Sequence, residues 1–163
     1  MYLALDPSLN KTGYAIYSEA GLIDSGVIRT PQQGSVLEKQ TALKAKLRHI
    51  LGSKERAIKQ AIVEIPASIP YTRTQGRGGK LINLDALLKL SRAVGVLTQT
   101  LTDWGVSVYE VTPQRWKGNR VKGWDQLAAA QMLGRKVTDD EADAIALGVY
   151  FGRIKRDEQW QKK

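Results

Sequence analysis

The segment "TDDEADAIALG", Thr138 to Gly148, sets four carboxylates at the head of an apolar helix. At about 100° per residue, Asp140, Asp143, Ala144, Leu147, Phe151 and Ile154 fall on one stripe, with Asp139 and Glu141 to either side. That stripe must pack against the rest of the protein, and it takes two carboxylates with it. Part of the acidity has an ordinary origin. The positive end of a helix dipole favours carboxylates, and Thr138 with Glu141 reads as a capping box. This accounts for Asp139 and Glu141 but not for Asp143, one turn further in. A buried carboxylate is costly, and neighbouring like charges add to the cost. A Lys or Arg, or a metal ion, must therefore meet this face.

The remaining chain alternates between strand and helix patterns. "MYLALD" reads as a buried strand stopped by Pro7, and "SLNKTG" as a turn. "YAIYSEAGLIDSGVI" reads as a hairpin that turns near Glu19 to Gly21. "SVLEKQTALKAKLRHILG" is an amphipathic helix, with a Ser35–Glu38 capping box, an apolar face of Val36, Leu43, Leu47 and Ile50, and a stop at Gly52. "QAIVEIP" is a fourth strand, followed by the Gly- and Arg-rich loop "ASIPYTRTQGRGGK". A long helix runs from about Leu84 to Trp104, with Asn83 as cap and Gly105 as end. "VSVYEV" is a fifth strand, "TPQRWKGNRVKG" a basic connector, and Trp124 to about Leu133 a short helix. The acidic-headed helix closes the fold, extended by the tail "RIKRDEQWQKK". This β-β-β-α-β-α-β-α-α order predicts an α/β domain over 1–163, with a mixed five-stranded sheet flanked by helices on both faces.

Carboxylates occur at three stations in that scheme. Asp6 ends the first strand, Glu64 lies near the end of the fourth, and Asp140 with Asp143 heads the last helix. Adjacent central strands bring their ends together, so the three stations are expected to converge. The chain has no cysteine, and its one histidine, His49, sits in a helix-like segment as a surface residue. Thiolate zinc sites and disulfides are excluded, so any metal held there would be a hard, oxygen-ligated cation such as Mg²⁺ or Mn²⁺. Two such ions about 4 Å apart activate a water and stabilise a leaving oxygen in phosphodiester hydrolysis.

A net charge of +9 favours a polyanion partner, nucleic acid first. The charge is also sorted. Arg73, Arg77 and Lys80 lie in an acid-free stretch between Glu64 and Asp85, and Arg115, Lys117, Arg120 and Lys122 in another between Glu110 and Asp125. These basic segments are expected to hold a phosphate backbone over the acidic site. No apolar run reaches the roughly 18 residues of a membrane span, and no secretory apolar stretch follows Met1. The long helix carries Leu87, Leu88, Leu90, Val94, Leu97 and Leu101 on more than one side, which predicts a second partner beyond its own sheet.

"LALDPSLNKTGYAI", "IVEIP", "VTPQRWKG" and "DDEADAIALG" resemble, in order and spacing, the RuvC-type Holliday junction resolvases. The resemblance spans essentially the whole chain. It implies an RNase H-like fold and a homodimer, here expected through the helix from about Leu84 to Trp104. It also implies two Mg²⁺ per site, with Mn²⁺ able to substitute, and paired symmetric nicking of four-way DNA junctions. Asp6, Glu64, Asp140 and Asp143 become the catalytic, metal-binding quartet. Lys117 and Lys122 match the family's basic positions before the third helix. Tyr71 matches the aromatic used to open the junction centre, in a loop whose extra Gly and Arg depart from the family's usual one. The expected setting is the bacterial cytoplasm, in a cellular or phage-encoded form.

Three other readings stand beside this one. The Asp and Thr-Gly hairpin also resembles the first phosphate loop of the actin and sugar-kinase group, but that group needs two lobes and a second loop. Nucleases of the same fold that trim ribosomal RNA precursors are a closer rival. An architectural junction-binding protein would leave the carboxylates dispensable.

Overall fold

The computed structural model describes residues 1–52, 57–66, 84–118 and 123–160, with side chains through 157. Five strands, β1 (Tyr2–Asp6), β2 (Lys11–Ser18), β3 (Gly21–Arg29), β4 (Gln60–Glu64) and β5 (Ser107–Val111), form one sheet in the order β3-β2-β1-β4-β5. The β1–β2–β3 meander is antiparallel, whereas β4 runs parallel to both β1 and β5. The sheet is thus the mixed five-stranded one expected, with β1 at its centre.

Alternation along the strands divides the core into two. Leu3 and Leu5 of β1, with Ala61 and Val63 of β4, face helices α1 (Val36–Leu51) and α2 (Leu84–Asp103). Leu43, Leu47, Leu97 and Leu101 meet them there, all fully buried. Ala4, Ala15, Tyr17 and Ile62 share the opposite core with α5 (Asp139–Trp160) and with α4 (Trp124–Leu133). At roughly 1.5–3 kcal/mol for each large apolar side chain buried, both faces are needed to hold a chain of this size together. The period of two then sends Asp6 and Glu64 to the face of Ala4 and Ile62, the face that α5 covers.

Local signals explain most element boundaries. The capping box of α1 is complete, since Ser35 Oγ accepts from the Glu38 amide and Glu38 accepts from the Ser35 amide. Its buried stripe is Leu43, Leu47 and Leu51, while Val36 and Ile50 are only partly buried. The basic connector is more structured than expected. Pro113–Lys117 forms a short helix, α3, with Pro113 in its first turn and Trp116 buried. Arg120 and Lys122 lie outside the described residues, as does the proposed cap Asn83.

Helix α5 is fixed to the sheet at three levels. Near its middle, the Tyr17 hydroxyl donates to the Ile145 carbonyl at 2.8 Å and the Tyr2 hydroxyl to the Gly148 carbonyl at 3.0 Å. Tyr2 stacks on Tyr17 at 5.1 Å, and Phe151 meets Tyr2 edge-on at 5.3 Å. Gly148 permits this closeness, because a Cβ there would overlap the Tyr17 ring. Further down, Gly13 of β2 allows the backbone of Asp140 to lie directly on the strand, where any Cβ would overlap the Asp140 carbonyl.

The third fixing point corrects the sequence reading. Thr138 Oγ1 does accept from the Glu141 amide, at 3.3 Å, but the Glu141 carboxylate does not complete a capping box. It turns inward, 5% exposed, and accepts from Arg135 Nη2 at 2.5 Å, Arg135 Nη1 at 3.2 Å and Ser25 Oγ at 2.7 Å. The Arg135 hydrogen bond, more than the Ser25 bond and the Arg135 charge, holds its carboxyl below the usual range and outweighs burial. A lowered carboxylate pKa stabilises the fold above the ordinary glutamate value, and that stability is lost as pH falls through the lowered folded value. Glu141→Gln is therefore expected to cost about 1–3 kcal/mol at pH 7. In thermal melts from pH 7 to pH 3, the gap to the wild type should close in the acid range.

Candidate active site

Asp6 is the last residue of β1 and pairs with Gly13 across the antiparallel ladder. On its other side β4 runs in register, Leu5 opposite Val63, so Glu64 lies one step beyond that pair. Helix α5 crosses above this point, its first turns held down at Gly13. Asp143 and Asp140 thereby approach from above the strand ends, and α3 approaches from the side after β5. The expected quartet is thus contributed by β1, β4 and α5, and its members are electrostatically coupled.

Asp6 bears the strain of this gathering. Burial, followed by the like charges of Glu64 and Asp143, pushes its carboxyl up to about 8; Lys117 opposes the rise and Asp140 adds to it. Burial also raises Glu64, while Lys117 and a hydrogen bond from Trp116 hold it down. Asp140 sits nearer the rim. Burial raises it, and the charge of Lys11 opposes the rise.

Lys117 lies inside the cluster. Its Nζ is 2.6 Å from Asp143 Oδ2 and 3.7 Å from Glu64 Oε2, and it lies 4.8 Å from the centre of the Trp116 ring. Burial works against the ammonium, but the Asp143 hydrogen bond and the charges of Glu64, Asp143 and Asp6 prevail and raise its pKa. Of the expected basic residues, Arg115 is described as well; it is exposed on α3. Tyr71, Arg73, Arg77, Lys80, Arg120 and Lys122 lie outside the described residues.

Two contributors escaped the sequence reading. Trp116, 3% exposed, donates its indole N–H to Glu64 Oε2 at 2.7 Å. Its signal was a lone aromatic inside an otherwise charged connector. Gly13 belongs to the Thr-Gly pair already noted, but its contact with Asp140 could not be read from spacing.

Among the described residues, no three Asp, Glu or His side chains form a ready-made metal cage. Lys117 instead spans Glu64 and Asp143. The donor chemistry nevertheless fits a hard divalent cation. The donors are all carboxylate oxygens, burial and then their mutual repulsion raise Asp6, and a cation of the chain's own is drawn between two of them.

Solved structures share this architecture. Thermus thermophilus RuvC in complex with a Holliday junction substrate superposes with a TM-score of 0.70 at 19% identity, covering 94% of this chain and 95% of that one. This is the RuvC-type, RNase H-like fold. Thermus thermophilus RuvC also matches in a second structure, with a TM-score of 0.63 at 21% identity over 94% and 96% of the two chains. A Fowlpox virus resolvase with its substrate Holliday junction DNA gives 0.56 at 14% identity, over 93% and 97%. No family model matches the sequence, and no curated protein does. At such identities the RuvC-type fold is what is shared.

The stressed Asp6 carboxyl has a thermodynamic consequence. An acid whose folded pKa is raised costs stability as pH climbs from its unfolded value of 3.8 towards about 8. In metal-free buffer at pH 7, Asp6→Asn should melt about 2–8 °C above the wild type, equivalent to about 1–2 kcal/mol. The gap should shrink towards pH 4, and Mg²⁺ should raise the wild-type melting temperature more than the variant's. A variant that melts at or below the wild type at pH 7 would contradict this electrostatic account.

Proposed function

We propose that the chain is a metal-dependent, structure-selective endonuclease that resolves four-way DNA junctions by paired, symmetric nicks. The observation that carries the reading is the mutual coupling of four carboxylates around Asp6 at the strand ends of a RuvC-type fold. Two of the three structural neighbours are complexes with Holliday junction DNA, one of them named a resolvase, which supports the substrate class.

Asp6, Glu64, Asp140 and Asp143 would hold two Mg²⁺, with Mn²⁺ able to substitute. Bound there, the ions would activate a water and stabilise the leaving oxygen of a phosphodiester. Trp116 and Lys117 order the carboxylates from α3. Arg115 offers positive charge on the exposed side of the same helix, and Tyr71, Arg73, Arg77, Lys80, Arg120 and Lys122 supply further DNA contacts from the two basic segments. A homodimer would provide two such sites for two strands. It is supported by Leu84 and Leu88, 64% and 50% exposed on α2, and by the two-fold symmetry of a four-way junction. Among the described residues no helix is long and apolar enough to cross a membrane, and the bacterial cytoplasm is the proposed setting.

The test uses a synthetic four-way junction, a replication fork, a plain duplex and a structured RNA, each with and without Mg²⁺. Nicks should appear at symmetric positions in the junction, and only with metal. Asp6→Asn should lower nicking by more than the about 100-fold that loss of an outer partner of a metal site costs, while junction binding survives. Preferential cleavage of RNA would favour the RNA-trimming alternative, and binding without metal-dependent cleavage the architectural one.

A further inference from the structure

We propose that Trp116 is the positioning residue of the site: its indole N–H holds Glu64 Oε2 and so presents Oε1 to the cation. This rests on the metal-nuclease reading and extends it to a buried residue behind the carboxylates. The geometry is direct. The indole nitrogen lies 2.7 Å from Glu64 Oε2, and Lys117 Nζ approaches the same oxygen at 3.7 Å. Among the described residues, both partners of the Glu64 carboxylate therefore sit on one oxygen. An indole is a donor with no acceptor capacity, so it orients a carboxylate without competing for a cation.

The tryptophan is itself immobilised. It is 3% exposed in the core shared with Val111, Ala129, Val137 and Ala142. It sits on α3, whose first turn carries Pro113 and which follows β5 directly. Its ring face lies beneath the Lys117 ammonium, 4.8 Å from Nζ. One side chain thus sets a carboxylate with its edge and supports the neighbouring cation with its face. Hydrogen bonds from outer partners fix the orientation of metal-bound carboxylates, and their loss weakens metal affinity markedly.

The experiment compares wild type with Trp116→Phe, which keeps an aromatic ring in the core but removes the donor. Mn²⁺ binding is measured by calorimetry without DNA, the Mn²⁺ midpoint of junction nicking by assay, and junction affinity in EDTA. The expected result is an about 10- to 100-fold weaker Mn²⁺ affinity and a parallel rise in the nicking midpoint, with junction affinity unchanged within about twofold. A merely structural Trp116 would lower junction affinity and melting temperature and leave the metal midpoint in place, which would overturn the proposal. So would a variant with wild-type metal dependence. Should Trp116→Phe fail to fold, the wild-type indole N–H resonance decides. Movement on Mg²⁺ titration that Glu64→Gln suppresses supports the proposal, and an unmoved resonance overturns it. Wild-type protein that binds no Mn²⁺ overturns the metal-site reading as well, whereas normal wild-type binding with an indifferent Trp116→Phe overturns only the role of Trp116.

Discussion

Repulsion among carboxylates organises this molecule. Asp6, Glu64, Asp140 and Asp143 come from β1, β4 and α5, and burial in one place raises Asp6 to about 8. Such crowding opposes folding, so the surroundings have to over-determine it. They do so with tyrosine anchors along α5, a strand position without a side chain at Gly13, and the inward clamp on Glu141. The short helix α3 adds the only counter-charge among the described residues that reaches Glu64 and Asp143 together, Lys117. A cation thus already sits within the cluster, between Glu64 and Asp143.

The same layout explains why the two faces of the sheet differ. The face under α1 and α2 is filled by leucines and carries none of the four carboxylates. The core between the sheet and α5 combines small residues (Ala4 and Ala15 on the strands, Ala142 and Ala144 on the helix) with aromatic ones. Small residues bring the helix backbone close to the strands. Aromatics with polar tips, Tyr2, Tyr17 and Trp116, then tie that backbone and Glu64 by hydrogen bonds that aliphatic residues cannot make.

Much of this was legible in the sequence, for identifiable reasons. The strand patterns "MYLALD" and "QAIVEIP" put Asp6 and Glu64 at the ends of central strands that should converge, and helical spacing separated Asp140 and Asp143 from Asp139. Complete local signals, such as the Ser35–Glu38 capping box, fixed α1. What was missed depended on contacts distant in sequence. Five residues are too few for periodicity to reveal α3, whose Trp116 is buried in the core shared with α4 and α5. Glu141 reads as a flanking residue on a helical wheel, yet Ser25, 116 positions earlier, and Arg135 draw it inward. Lys117 reads as a surface phosphate contact, because nothing local says that β5 delivers it among acids.

One further consequence follows from how the carboxylates are divided among the elements. Asp6 lies on β1 and Asp140 and Asp143 on α5, and that helix contributes half of the carboxylates as well as the cover over the others. The full set of four acids therefore exists only while α5 lies across β1 and β4, so any opening of that helix would take half of the acidic groups away together.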